Sequence, residues 1–401
     1  GEQRREAVTG SVATIKGADL MKSPAVNVSN SIAGRMQGVT AMQKTGEPGA
    51  DGSTLRIRGS NTLGNNDPLV VIDGVAARTG GLERLNPADI ESMSVLKDAS
   101  AAIYGARAAN GVILVTTKRG KSGKAQLSYS FNQGWAQATH IPEMANAQQY
   151  AEIRNELSMY KNVGGKEWGD AWNAYKQSGS YTSPVTGNKW TPPFSKEDIQ
   201  QYQDGSDPWG HPNTDWYDAA FKKWSPQSSH NVQLSGGSES LRYLTSFGYQ
   251  SQDGYYKSSA TGYDQYSLRI NLDGKVNKYV NVSVDMNGRQ ENRNYPTRSA
   301  SSIFRMLMRG KPTEPAFWPS GQAGPDIEYG DNPVVITTDQ TGYSKDRRYY
   351  LQTTARLDIT IPWVEGLKLS GSMAFDKYIK RTKDWQTPWF LYTWNKEDPF
   401  E

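Results

Sequence analysis

The sequence predicts an α+β domain over residues 1–120 followed, over residues 121–401, by part of a large antiparallel transmembrane β-barrel. Three observations lead there. Up to about residue 120, short apolar strands alternate with helical patterns, punctuated by Gly and Pro. Beyond it, segments of roughly ten residues alternate apolar and polar side chains, the length and pattern of a tilted membrane strand. Their connections are by turns tight and very long, the habit of membrane barrels, which gather short turns on one rim and long loops on the other.

In the first domain, Leu55-Arg56-Ile57-Arg58, Leu69 to Asp73, Ser92 to Leu96 and Val112 to Lys118 read as strands. Val26 to Met36 and the Ala-rich Lys97 to Tyr104 read as short helices. Asn86-Pro87 with Asp89 opens a helical turn. Gly105 and Gly111 then release the chain into Val112 to Lys118, since a tight return needs positive φ and close backbone approach. A polar linker, Lys118 to Lys124, closes the domain.

After the linker the period becomes two. Tyr266, Leu268, Ile270 and Leu272 fall on one face, with Ser267, Arg269, Asn271 and Asp273 on the other. Val280 to Asn287, Leu351 to Ile361 and Leu367 to Phe375 repeat the pattern. The charged and amide-rich face suits a wet lumen, although a soluble antiparallel sheet shows the same alternation. Ser235 to Glu239, Asp273 to Tyr279 and Pro362 to Gly366 are tight turns, whereas 136–226 and 291–346 are long connections. Loops of that length in a compact domain are usually functional. Within them Asn146 to Tyr160 and Ser301 to Met308 look helical, and Pro312 to Pro319 forms an aromatic turn. Roughly seven strands cannot enclose a domain of this size; plugged barrels have about 22 strands when complete. The ending Asp398-Pro399-Phe400-Glu401 is loop-like, which places the remaining strands beyond it.

Composition narrows the function classes. Hydrophobic residues are 36% of the chain and no stretch approaches the ~18 apolar residues of a membrane helix. The net charge of +4 without a basic run leaves no nucleic-acid face. Cysteine is absent, so there are no disulfides or thiolate metal sites, and the start Gly1-Glu2-Gln3-Arg4-Arg5 is no signal peptide. The 22 Tyr and 12 Trp suit interfacial girdles or sugar-stacking surfaces. His140, His211 and His230 lack metal-ligand spacing, and neither a phosphate loop, a nucleophile elbow nor a placed carboxylate pair is visible. The expectation is therefore no enzyme, no metal and no cofactor.

Three ordered stretches carry a family resemblance: Asn27 to Val39; Gly46 through Leu55-Arg56-Ile57-Arg58-Gly59 to Val75; and Leu85-Asn86-Pro87-Ala88-Asp89 through Tyr104-Gly105-Ala106-Arg107 to Lys118. Together they resemble the plug of TonB-dependent transporters, in particular the SusC-like (RagA-like) branch of Bacteroidota. Asn213-Thr214-Asp215-Trp216 and Ser229 to Gly237 also look like that branch.

The resemblance implies residence in bacterial outer-membrane lipid and active import of a bulky polar nutrient. It further implies a SusD-like surface lipoprotein above the barrel and a TonB protein, energised through ExbB and ExbD, pulling a segment upstream of Gly1. Oligosaccharide is the favoured cargo and oligopeptide the rival; a soluble β-rich adhesin or binding module is the reading from another class. Loops without a core pattern supply the candidate substrate contacts Asn65, Asn66, Asp67, Arg78, Thr79 and Glu83, and Phe317 and Trp318 could stack on a sugar. Solvated loops and packed anchors are the plain alternatives. Arg56, Arg58 and Arg107 are expected to pair with carboxylates of the barrel wall and to act in a structural or gating role, with direct substrate contact as the alternative.

Overall fold

The computed structural model describes residues 12–23, 25–43, 45–60, 65–258 and 261–395; the expectations for the first five and the last four residues lie outside this range. The first domain runs β1 (Val12–Lys16), α1 (Gly17–Leu20), α2 (Val28–Ser31), β2 (Val39–Gln43), β3 (Ser53–Ile57), β4 (Leu69–Ile72), β5 (Val75–Ala76), β6 (Ile90–Leu96) and β7 (Val112–Thr117). Its main sheet has the order β1-β6-β7-β4-β5, while β2 and β3 form a separate hairpin. The pair β4–β7 is parallel. Its Val71, Val112, Ile113 and Val115 are buried, as the apolar run of a central strand requires. The core gathers Leu20, Val28, Ile32, Ile57, Ile90, Met93 and Val95 around this sheet.

The expected helix over Val26 to Met36 shrinks to α2, capped by the Asn27 side chain. Gly34 and Gly38, both at positive φ, turn the chain out of the helix. Asn86 caps a 3-10 turn at Pro87–Asp89 as the sequence suggests. A 3-10 stretch over Asp98–Ala108 kinks at Gly105 (φ 70°). At Gly111 the positive φ of +84°, with a Cβ site 2.7 Å from Ile57 Cδ1 and 3.2 Å from the Leu96 carbonyl oxygen, makes a larger residue strained at the entry to β7.

The second part begins with β8 (Gly123–Ala136). A long excursion follows, holding α3 (Ala147–Asn162), α4 (Trp168–Ser178), the short hairpin β9 (Tyr181–Thr182) and β10 (Lys189–Trp190), α5 (Lys196–Asp204) and α6 (Trp216–Ala220). Then come β11 (Ser225–Gly237), β12 (Leu241–Asp253), β13 (Gly262–Lys275) and β14 (Val280–Tyr295). A second excursion carries α7 (Ala300–Arg309) and α8 (Pro333–Ile336) before β15 (Gly342–Thr360) and β16 (Lys368–Gln386). The strands form one antiparallel meander, β16-β15-β14-β13-β12-β11-β8, open at both edges. The three tight turns fall where expected. The second long connection is shorter than read, 296–341, because Arg293 pairs with Asp346 and Tyr295 with Ser344, so the ladder continues through polar residues.

This sheet curves over the first domain with its polar face inward. Ser246, Gln265, Arg269, Asn271, Arg289 and Glu291 are buried against that domain. Leu127, Phe131, Phe247, Leu268, Met286, Leu351, Met373 and Phe375 stay exposed on the other face. A soluble sheet does the reverse, which removes the soluble-module alternative.

The long excursions fold into a layer over one rim. Trp216, Tyr217, Phe221, Tyr256, Ile303, Met306, Leu307 and Val334 to Ile336 form one apolar core there.

Candidate functional site

The candidate site is the seam between the first domain and the wall, where buried charges face one another. After β7, the Arg119 guanidinium reaches Asp273 (2.9 Å) and Asp285 (2.7 Å) of adjacent strands β13 and β14. After β4, Asp73 accepts hydrogen bonds from Thr117 N (2.9 Å) and Thr117 Oγ1 (2.7 Å) and pairs with Arg269 (2.9 Å). Ser246 donates to Asp89 at 2.5 Å. Burial pushes the Asp89 carboxyl up, and Arg269 and the Ser246 bond work in the opposite direction.

Arg78 grips Asp376 through Nε (3.1 Å) and Nη2 (2.6 Å), a bidentate fork. Next to it Gln352 Nε2 donates to the Thr79 carbonyl at 2.9 Å.

Nearer the long-loop rim, Asp51 is a node. Its carboxylate accepts from Arg84 Nη2 (2.9 Å), from Asn27 Nδ2 (3.4 Å) and from Gln252 Nε2 of the wall (3.0 Å). The Arg84 guanidinium lies over the Tyr263 ring at 4.8 Å. The Arg84 carbonyl accepts from Gln265 and Arg289, both at 3.2 Å. Glu291, fully buried, holds Arg289 (3.0 Å) and Arg293 (2.6 Å). Two cavities of about 10 Å³ open along the seam, one lined by Arg84, Asn86, Ser267 and Arg289 and the other by Asp73, Arg78, Asp285 and Gln352. Each is about the size of a single water molecule.

Loop 45–52 joins this seam to the loop layer. Gly49 (φ +76°) brings the backbone so close to the wall that a Cβ would lie 2.8 Å from the Tyr263 ring and 3.2 Å from Arg293. Beside it, burial lifts the Glu47 carboxyl to about 7. Tyr255 of the loop layer is pushed up to about 12, chiefly by burial and then by the Glu47 charge.

The residues singled out in the sequence are distributed as follows. Arg78 and Thr79 face the wall through the contacts above. Glu83 is exposed and its carboxylate lies against loop 45–52, 2.6 Å from where a Gly52 Cβ would stand. Asn65, Asn66 and Asp67 lie at the opposite end of β4 from Asp73. There Asn110 donates to the Asn65 carbonyl (2.9 Å) and Asp67 pairs with Arg56 (2.5 Å). Asn66 itself is buried. Thus Arg56 meets a carboxylate of its own domain where a wall carboxylate was expected. Arg58 adopts φ 59°, and Arg107 is exposed on the 3-10 stretch. Phe317 and Trp318 form a tight turn docked on the segment after β16, with Trp318 Nε1 donating to the Tyr392 carbonyl (2.9 Å).

Sequence reasoning missed Asp51, Asp73, Arg84 and Arg119. The wall partners Arg269, Asp273, Asp285 and Asp376 carried a signal, since each occupies a polar position of an alternating strand. Their counterparts sit in irregular segments where no period marks them. The stretch Asn213-Thr214-Asp215-Trp216 is a staple between loops. Asn213 Oδ1 accepts from Ala147 N (2.9 Å), Thr214 Oγ1 donates to the Glu314 carbonyl (2.7 Å), and Trp216 Nε1 donates to the Lys311 carbonyl (2.9 Å).

A wall apolar outside and polar inside, curved over a globular domain and held to it by ion pairs, defines the class: a plugged transmembrane β-barrel. Comparison with known proteins narrows it. Residues 4–112 match the TonB-dependent receptor plug domain. The TonB-dependent receptor SusC of Bacteroides thetaiotaomicron is 33% identical over 282 residues, 68% of this chain and 23% of that protein. TonB-dependent receptor P26 of Formosa agariphila is 32% identical over 293 residues, 72% of this chain and 26% of that protein. The RagAB peptide importer in its open-open state superposes with a TM-score of 0.71 at 24% identity, covering 96% of this chain and 42% of that one. The chain belongs to the SusC-like TonB-dependent receptors of the bacterial outer membrane, of which it carries the plug and first barrel strands. It spans about a quarter of the length of these two curated relatives.

Proposed function

We propose that the full-length protein imports a bulky polar nutrient across the outer membrane by TonB-dependent active transport, with oligosaccharide as its cargo. The observation that carries the reading is the ionic character of the plug–wall seam. Breaking a buried ion pair outright is costly, but charges lined along both sides of a seam with water-sized cavities between them can pass from one polar partner to the next, whereas a dry apolar seam offers no such exchange. Residues 1–120 act as the plug and 121–401 as the first part of the barrel. A SusD-like lipoprotein covers the long-loop rim, and TonB, energised through ExbB and ExbD, draws on the plug. Its role is passage of the cargo, with no covalent chemistry.

Within this reading Glu83, Phe317 and Trp318 are the substrate contacts, because they belong to the loop side of the seam. Arg78 and Thr79 retain the plug. Asn65, Asn66 and Asp67 belong with Arg56, Arg58 and Arg107 to the gating face. Oligopeptide is the second reading, favoured by the fold shared with a peptide importer.

The test is uptake of labelled oligosaccharide and oligopeptide pools by cells with and without the full-length gene, before and after collapse of the proton gradient. Gene-dependent, gradient-dependent uptake of oligosaccharide is expected. Gene-dependent uptake of peptides alone would transfer the assignment to the second reading. Uptake that ignores both the gene and the gradient would refute transport.

A further inference from the structure

The membrane-facing side of β15 and β16 carries a feature that transport does not use. Gln352 and Asp376 point to the plug, so the residues at odd positions of both strands point outward. Among these, Ala355 stands opposite Met373 and Thr353 opposite Phe375, within the apolar band. Toward the long-loop rim follow Leu351 opposite Lys377, Tyr349 opposite Ile379, Arg347 opposite Arg381 and Lys345 opposite Lys383. Tyr349 is also joined through Gln290 to an outer row of rings: Tyr266 and Tyr249 with centroids 5.1 Å apart, then His230 and Phe131 at 4.7 Å. Rings of this kind settle at the level of lipid headgroups. The two basic pairs therefore stand at and just above that level.

Like charges directly opposite one another across a ladder are destabilising. On the inner face the same arrangement, Arg348 opposite Lys380, is compensated by Asp346 at 2.6 and 3.8 Å. On the outer face, Lys345, Arg347, Lys377, Arg381 and Lys383 pair with no carboxylate among the described residues. Lys345 and Lys383 even converge on one ring, lying 4.2 and 5.8 Å from the centroid of Tyr343. The nearest outward acid along the register, Asp264, lies two strands away and accepts the Tyr249 hydroxyl at 2.9 Å.

We propose that Lys345, Arg347, Arg381 and Lys383 bind the phosphate-bearing headgroup of an outer-leaflet glycolipid. The two arginines fork onto phosphate oxygens, the lysines neutralise the remaining charge, and the acyl chains lie along Leu351, Met373 and Phe375.

The experiment uses the full-length protein in detergent supplemented with lipid A, either intact or stripped of phosphate by phosphatase, and counts retained lipid per protein by native mass spectrometry. The variant carries Lys345→Gln, Arg347→Gln, Arg381→Gln and Lys383→Gln. A basic residue at an anionic membrane surface contributes roughly a factor of five, so retention of intact lipid A should fall by more than about tenfold in the variant. Wild type should retain the stripped lipid equally poorly, and millimolar inorganic phosphate should not displace the intact one. Equal retention by wild type and variant, or of intact and stripped lipid, would overturn the proposal. Displacement by inorganic phosphate would overturn it too, assigning the site to a free anion. Should the variant lose the heat-modifiable migration of a folded barrel, the comparison of intact and stripped lipid on wild type decides.

Discussion

Replacing Asp51 by Ala should loosen the plug more than any single change elsewhere on the seam. The carboxylate holds Arg84 at 2.9 Å, and both side chains are only 5% exposed. Removing one partner of a buried pair leaves the other charge without compensation and costs about 3–5 kcal/mol. The bonds from Gln252 and Asn27 to the same carboxylate disappear with it. The assay is urea unfolding of the detergent-solubilised full-length protein, followed by a fluorophore on the plug. Met42→Cys is a suitable site because Met42 is 64% exposed and these 401 residues contain no cysteine. With a urea slope of about 2 kcal/mol/M, the midpoint of the plug transition should fall by roughly 1.5–2.5 M. Adding Arg84→Met should recover much of the loss, since an apolar pair of similar volume often replaces a buried ion pair without penalty. A fall of less than about 0.5 M in the single variant, near 1 kcal/mol on the same slope, would refute the role given to this pair.

Three further outcomes follow from the same geometry. Glu47 titrates near 7 in the folded state against an ordinary 4.5, with burial as the cause. Between those values the folded plug binds more protons than the unfolded one, so stability falls as pH rises through this window and stays lowered above it. Glu47→Gln should flatten the dependence: the unfolding free energy from urea titration should match wild type near pH 4.5 and exceed it at pH 8 by up to about 3 kcal/mol. Gly49→Ala places a methyl group 2.8 Å from the Tyr263 ring at positive φ; it should cost about 1–3 kcal/mol in the plug transition. Trp216→Phe removes the bond to the Lys311 carbonyl. It should leave the plug transition unchanged while protease cleavage of the two long loops accelerates about fivefold, the equivalent of one hydrogen bond near 1 kcal/mol.

The wall was the more legible half of the molecule. Val280 to Asn287 and Leu351 to Ile361 announce their strands because every second side chain faces lipid, and the intervening Asp285, Asn287 and Gln352 face the plug. The ends of β14 and β15 were harder to read, since Arg293 and Asp346 stay paired past the apolar band, where the alternation fades. In the plug, β4, β6 and β7 were readable from their apolar runs. The edge strand β1 and the hairpin strand β2 were not, each being only five residues long. The loop layer was hidden because its core is assembled from Trp216, Phe221, Tyr256, Ile303 and Ile336, which belong to short segments far apart in sequence. The seam was half visible: strand period marks the wall charges, while Asp51, Asp73 and Arg84 lie in turns that have no period.

The two ends of the plug differ in how they would bear a load. At one end, β1 is an edge strand, held to β6 by the pairs from Val12↔Leu96 to Lys16↔Ser92. At the other, Arg119 is clasped by two aspartates and β8 begins at Gly123. Tension entering at Val12 would therefore peel a short outer ribbon first, leaving Ile90, Met93 and Val95 in their core. The far end would stay riveted to the wall. The fold is mechanically graded: compliant where it could be tugged and stiff where it must not detach.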